Sequence, residues 1–263
     1  MSERSIPPAA VTFELGAPGY EATMARALLP VAAEVVRRAG LRPGELVLDV
    51  GTGTGNALAA AAGDGRTLVG LDASPAMLAI AHERAGGAVL VVGDFAAMPF
   101  PDRQFDAVVS THALLFADDR VAVLREVRRV VRGGGRLSLS VPGPVQVTPT
   151  TIYGSIYERH GLATAGNYPT LAELAGWAEA AGWADVQVAA DPAVVIHLPD
   201  EAAFRTWRSL GARGALTRDW TSEQNEALTQ QMLAVTPRQP DGSIRLPFGA
   251  LYLTAIAPQP EPS

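Results

Sequence analysis

LDVGTGTG, Leu48 to Gly55, runs an apolar stretch into an acid and a glycine-rich turn, and an alanine-rich helical pattern follows at once. A chain that leaves a strand sharply and lies close against a ligand needs residues without a Cβ, which Gly51, Gly53 and Gly55 supply. The stretch reads as the nucleotide-site turn of an α/β sheet. It is not the dinucleotide fingerprint GxGxxG, whose third glycine would fall where this chain has Asn56. Roughly 20 residues on, the next apolar run ends in Asp72, where an acid can accept from both hydroxyls of a ribose. Asp94 follows the run after that, in Gly93-Asp94-Phe95, placed to accept from the exocyclic amine of an adenine. Three acids at successive strand ends share one rim of the sheet.

Apolar runs and helical stretches alternate outward from this turn: Leu46–Val50, Ala57–Ala62, Thr67–Leu71, Pro75–Ala85, Val89–Val92, Phe105–Ser110, Val121–Val131 and Leu137–Val141. Such alternation predicts a doubly wound, parallel α/β sheet. Ser74-Pro75 supplies an N-cap followed by proline at the first helical position. Residues 1–18 show little pattern, whereas Met24, Ala27, Leu28, Val31 and Val35 recur at helical spacing, with Pro30 starting a second helix. The register breaks at Pro142-Gly143-Pro144, and a helical piece follows around Ile152–Arg159. Thr170 with Glu173 forms a capping box for a helix ending near Gly182, and Val186–Ala190 reads as a strand. Two more helices fill 200–234, the second capped by Thr221 with Gln224; Leu251–Ile256 is the last strand, ahead of a frayed proline-rich tail.

Composition removes whole classes of chemistry. The 263 residues are 48% hydrophobic, enough for one large core with an added cap. A net charge of −6 argues against a nucleic-acid groove, which needs clustered cations. No cysteine means no disulfide, thiolate metal site or cysteine nucleophile. All 21 basic residues are arginine, so Schiff-base lysines and the P-loop lysine are absent as well. No run of about 18 or more apolar residues suggests a membrane span, and the N-terminus lacks a signal-peptide core, so the expected location is cytoplasmic. No cluster has metal-ligand spacing.

VLDVGTGTG, VGLDASPAMLAIA, GDFAAMPFPDRQFDAVVS and VRRVVRGGGRLSLS resemble, in this order and spacing, the class I S-adenosylmethionine-dependent methyltransferases, above all the small-molecule branch that includes the ubiquinone and menaquinone C-methyltransferases. The likeness is close from Tyr20 to Val141 and loose from Leu171 to Ala189. It implies a mostly parallel seven-stranded, Rossmann-like sheet with a helical cap. Its parts would be lid helices at 1–39, a cofactor-binding core at 40–144, a cap insertion at 145–170, a core continuation at 171–199, cap helices at 200–236, and a final strand and tail at 237–263. By the same resemblance Gly51, Thr52, Gly53 and Gly55 line the methionine and ribose, with Asp49 holding the amino group. Asp72 takes the ribose hydroxyls, Ala73 and Met77 flank the adenine, and Gly93, Asp94 and Phe95 read its amine. Ser110, Thr111 and His112 border the transferred methyl, and Tyr20 lies under the lid. Thr52 stands where the family often has cysteine, Gly133-Gly134-Gly135 where it has Pro-Gly-Gly, and Leu115-Phe116 where it often has an aromatic or histidine pair.

Displacement of a methyl from a sulfonium asks the protein to position two groups and exclude water, with a base needed only for a protonated acceptor. His112 is the first candidate base, because imidazole ordinarily titrates near neutrality; its bland reading is a hydrogen-bonded structural histidine. Tyr153, Tyr157 and His160 share one helical face and, with Trp207, are candidates for lining an acceptor pocket or for packing the cap. Arg125, Arg128, Arg129 and Arg132 form a helical cationic stripe, read as a solvated face. The expected partner is a small, largely apolar or aromatic acceptor, the expected assembly a monomer or homodimer. Rival readings are a cyclisation or elimination using the sulfonium as a fixed charge, a non-catalytic S-adenosylmethionine-binding protein, and a nicotinamide oxidoreductase.

Overall fold

The structure is a computed structural model describing residues 8–143, 149–162, 168–210, 214 and 216–259. Residues 1–7, Pro144 of the expected chain break, 145–148 and 163–167 of the expected cap insertion, 211–213 and 215 of the expected cap helices, and 260–263 of the tail lie outside the described residues.

Seven strands form one sheet: β1 (Leu46–Val50), β2 (Thr67–Asp72), β3 (Val89–Val92), β4 (Phe105–Thr111), β5 (Val131–Pro142), β6 (Ala184–Asp191) and β9 (Ala250–Ile256). Their spatial order is β3-β2-β1-β4-β5-β9-β6, and only β9 runs antiparallel to its neighbours. The order reverses between β1 and β4, which opens a crevice at their carboxyl ends. Val47, Leu48, Ala107, Val108 and Val109 are wholly buried, as parallel strands covered on both faces require. One face is covered by α2 (Leu29–Ala39) and α3 (Asn56–Ala61), the other by α5 (Arg120–Val130) and α7 (Leu171–Ala180). The helix α4 (Pro75–Arg84) follows β2 and is capped by Ser74 Oγ, which accepts from Met77 N–H at 3.1 Å. The capping boxes at Thr170 and Thr221 are both formed, the latter opening α9 (Ser222–Val235).

Three features depart from the sequence reading. The patternless N-terminal stretch contains a helix, α1 (Pro8–Tyr20), which runs into a π-turn at Glu21–Ala25. Its Gly16, Pro18 and Gly19 oppose helix formation on their own. Tertiary contact overrides them, because α1 packs on α4 and on α8 (Glu201–Arg208), where a Cβ on Gly16 would meet Leu210 Cδ2 at 2.7 Å. The second departure is a separate two-stranded sheet, β7 (Val195–Leu198) with β8 (Ile244–Pro247), whose four-residue strands are too short to show a period. Third, β5 begins at Val131 and not at Leu137, so Gly133–Gly135 lie within the strand, Gly134 at φ +72°, beside the irregular β4–β5 register.

The helix α6 (Pro149–Arg159) joins α8 and α9 over the α2 face of the sheet, where Tyr153, Phe204, Trp207, Met232 and Phe248 enter one apolar cluster with Met24, Val31 and Tyr252. Mid-strand Gly70 in β2 has a packing reason: a Cβ there would stand 2.8 Å from Leu58 Cδ1, 3.0 Å from Leu90 Cδ2 and 3.1 Å from Thr52 Cγ2. The missing side chain lets α3 and the glycine turn settle on the sheet. Gly70→Ala is expected to destabilise the fold by about 1–3 kcal/mol through overpacking, read as a lower denaturant midpoint; an unchanged midpoint would show that α3 yields.

Candidate functional site

The glycine turn leaves β1 and folds over the end of β2, where Gly51 and Thr52 both donate to the Leu71 carbonyl at 2.9 Å. Gly51 holds φ +68°, and a Cβ on it would come within 2.3 Å of Ala113 Cβ in the loop after β4. Gly53, at φ +53°, faces open space, and Gly55 presses on Ala81 of α4. The turn thus has two glycines fixed by the protein's own packing and one, Gly53, left bare toward open space.

Asp49, one residue before the end of β1, has only 1% of its surface exposed. Thr52 Oγ1 donates to its Oδ2 at 2.6 Å, while Oδ1 has no hydrogen-bond partner among the described residues. Burial, reinforced by the charge of Asp72, pushes its carboxyl up to about 7. Asp72, at the end of β2, is held at both oxygens: Gly53 N–H donates to Oδ2 at 2.8 Å and Ser74 N–H to Oδ1 at 2.9 Å. Burial raises its pKa and those two N–H groups oppose the rise. Each oxygen keeps a second lone pair, so the carboxylate is oriented and can still accept. Asp94 uses Oδ1 within its own turn, accepting from Ala96 N–H at 2.8 Å. Ala73 and Met77 flank the start of α4, Met77 buried, and Phe95 packs partly buried beneath the loop after β3.

Across the crevice, Ser110 donates its hydroxyl to the Val50 carbonyl at 2.8 Å, which ties β4 to β1. Thr111 Oγ1 and His112 Nε2 are buried without a hydrogen-bond partner among the described residues. His112 stands at φ +58°, 6% exposed, with Nδ1 2.8 Å from Ser140 Oγ and its ring 5.5 Å from Phe248. Burial drives its imidazole down to about 3. The titration near neutrality expected from residue type is therefore corrected: the enclosed ring is neutral, because burial beside Ser140 and Phe248 removes the water that would solvate an imidazolium.

The helix α1 crosses the mouth of the crevice. Glu14 Oε2 accepts from Ser74 Oγ at 2.5 Å and from Ala76 N–H at 3.0 Å, and Phe13 lies edge-on to both Tyr20 and Phe116. At the other end Arg84 binds Glu21, Thr54 and Asn56, and Asn56 Nδ2 donates to the Ala25 carbonyl at 2.7 Å. Tyr20 sits between these ties, its phenol pushed well above the ordinary value by burial and by the charges of Asp72 and Glu21.

The acceptor candidates lie elsewhere in the cap. Tyr153 OH is 2.7 Å from Thr236 Oγ1, and His160 Nε2 meets Gln231 Oε1 at 3.2 Å, so this face of α6 braces α9. Tyr157 is buried in the same cluster, and Trp207 is 0% exposed against Tyr153 and Phe204. Phe248 shares their cluster and touches His112, and Tyr20 packs against the same cluster. Sequence reasoning missed Glu14, Ser140 and Phe248. Ser140 had a signal, since Ser138 and Ser140 place two hydroxyls on one face of a buried strand; Glu14 and Phe248 had none, being distant in sequence from everything they touch.

Comparison with known proteins agrees with this geometry. A family model described as a methyltransferase domain matches residues 48–139. A demethylmenaquinone methyltransferase of Beutenbergia cavernae is 44% identical over 98 residues, 37% of this chain and 41% of that protein. Its counterpart in Corynebacterium kroppenstedtii is 35% identical over 172 residues, 65% of each chain. The chain thus spans between 41% and 65% of the length of these curated relatives. Among solved structures, the phosphoethanolamine N-methyltransferase 2 of Haemonchus contortus, in complex with phosphomonomethylethanolamine and S-adenosylhomocysteine, superposes with a TM-score of 0.61 over 94% of this chain and 58% of that one; at 18% identity the likeness is one of fold. The stretch from Leu48 to Leu139, which carries the glycine turn and the acids beside it, matches a methyltransferase domain and lies on a mostly parallel seven-stranded sheet.

Proposed function

We propose that this protein transfers the methyl group of S-adenosylmethionine to an O, N or C atom of a small, largely apolar or aromatic acceptor. The observation that carries the reading is the buried Asp49 Oδ1, a carboxylate oxygen with no partner among the described residues, beside the bare backbone of Gly53. A desolvated carboxylate is stabilised by a cation, and the ammonium of an amino acid is a cation with donors to give. Asp72, oriented through both oxygens, would accept from the ribose hydroxyls, with Ala73, Met77 and Phe95 around the adenine and Asp94 toward its amine.

When bound, the cofactor supplies an activated methyl on a sulfonium, open to in-line displacement. The rest falls to the chain. Crossing the mouth, α1 excludes water, and Tyr20 beneath it keeps its proton and stays a neutral wall. Thr111 and His112 flank the side opposite Asp49, where an acceptor has to arrive. Neutral His112 holds its orientation through Ser140 and turns Nε2 to the acceptor as a hydrogen-bonding group. Phe248 beside it makes that side apolar. No helix among the described residues is long and apolar enough to cross a membrane.

Binding of a cation at Asp49 requires the ionised carboxylate. With the free protein's group at about 7, binding below that pH must expel a proton. The dissociation constant for S-adenosylmethionine is expected to rise as pH falls below 7, approaching about tenfold per unit, and calorimetry should find this slope abolished in Asp49→Asn. A wild-type constant that stays flat between pH 5 and 8 would remove Asp49 from the site.

His112→Ala is expected to lower turnover roughly tenfold, the worth of one hydrogen bond in the transition state, with cofactor affinity unchanged. Wild-type turnover should show no histidine inflection near neutrality; full activity in the variant would end the role. The reaction itself is tested by incubating the protein with methyl-labelled S-adenosylmethionine and a metabolite extract. Mass spectrometry should find a labelled product together with S-adenosylhomocysteine. Tight cofactor binding with no labelled product would overturn methyl transfer in favour of a fixed-charge or binding role.

A further inference from the structure

At the amino edge of the sheet, opposite the glycine turn, the starts of β4, β5 and β6 and the end of β9 surround a cleft of 560 Å³. Four guanidiniums, those of Arg103, Arg125, Arg128 and Arg129, line it with one carboxylate, Asp102. Arg129 is committed: it binds Glu126, Asp102 and the carbonyls of Met98 and Phe100, which fastens the loop before β4 to α5. Arg103, Arg125 and Arg128 form no ion pair among the described residues.

The protein holds these three in place by other means. Arg125 Nη2 donates to the Ala180 carbonyl at 3.2 Å, at the end of α7. Arg128 lies over Gly182, its Nε 3.2 Å from where a Cβ would stand, so the glycine makes room for the guanidinium. Arg103 occupies φ +58°, a backbone conformation that costs a side-chain-bearing residue free energy, and its N–H is tied to the Arg129 carbonyl at 2.8 Å. The Ala180 carbonyl orients the Arg125 guanidinium and carries no formal charge to neutralise it. Three arginines without an ion pair among the described residues therefore line one space, and with Arg129, Asp102 and Glu126 the cluster carries a net charge of +2 in a chain whose net charge is −6. Convergent like charges repel, and the repulsion is relieved when an anion enters between them.

We propose that this cleft binds a small phosphate-bearing polyanion, at a site separate from the methyltransferase crevice. A planar carboxylate satisfies one guanidinium fork. A tetrahedral, multiply charged phosphate group has acceptor oxygens in enough directions to meet arginines from three segments of the fold at once.

The test is calorimetric titration of the full chain with sodium pyrophosphate at low salt. One-site, saturable binding is expected, weakening as salt rises and undisturbed by saturating S-adenosylhomocysteine. The double variant R125E/R128E and, independently, R103E should each weaken it at least about tenfold, the loss of a charge-assisted hydrogen bond. R132E should leave it unchanged, since Arg132 pairs with Asp106 outside the cleft. Circular dichroism melts establish that each variant is folded. The proposal is overturned by absence of saturable binding, by binding that survives both R103E and R125E/R128E, by an equal loss in R132E, or by competition from S-adenosylhomocysteine. Citrate binding as tightly as pyrophosphate would overturn the assignment to phosphate.

Discussion

Everything at the carboxyl rim depends on one steric constraint, the passage of the chain from β1 past the end of β4. At Gly51 the backbone takes φ +68° with Ala113 so near that a single methyl group would collide with it. That contact closes the bottom of the crevice where the sheet order reverses and brings Asp49 and His112 to its two sides. It also explains their shared electrostatic condition. Both are buried, which raises the carboxyl and lowers the imidazole. Two groups of opposite chemical type are thereby pushed toward neutrality.

The mouth above the crevice is closed by polar ties on both flanks. Asn56 stands at the position that separates this turn from a dinucleotide fingerprint, and it binds the π-turn through Ala25 while receiving Arg84. A third glycine there would have offered neither bond. The substitution that argued against a nicotinamide cofactor also joins the glycine turn to the segment crossing the entrance.

How much of this was legible in the sequence depended on how local its cause is. The glycine turn, Asp72 at its strand end, the Ser74 cap and both capping boxes follow from interactions within a few residues, and they stand in the structure where the spacing put them. The helix α1 was not legible, because its glycines and Pro18 oppose it and its support comes from distant segments, α4 on one side and Thr206 and Leu210, some 190 residues away, on the other. The ionisation of His112 was hidden for the same reason: residue type points to neutrality, while the shift comes from burial that includes Phe248. The arginine stripe on α5 showed its period but not its surroundings. A solvated face and the wall of a cleft look alike until α7 and the end of β9 are placed beside them.

Ser74 serves two neighbours through one oxygen: its lone pair caps α4 by accepting from Met77, and its proton goes to Glu14 of α1. These duties do not compete. If Glu14 were withdrawn, the hydroxyl proton would turn to solvent while the cap persisted, so no turn of α4 would unwind. Parting the two helices at this point exchanges the Glu14 hydrogen bonds for ones with water and leaves the cap of α4 in place.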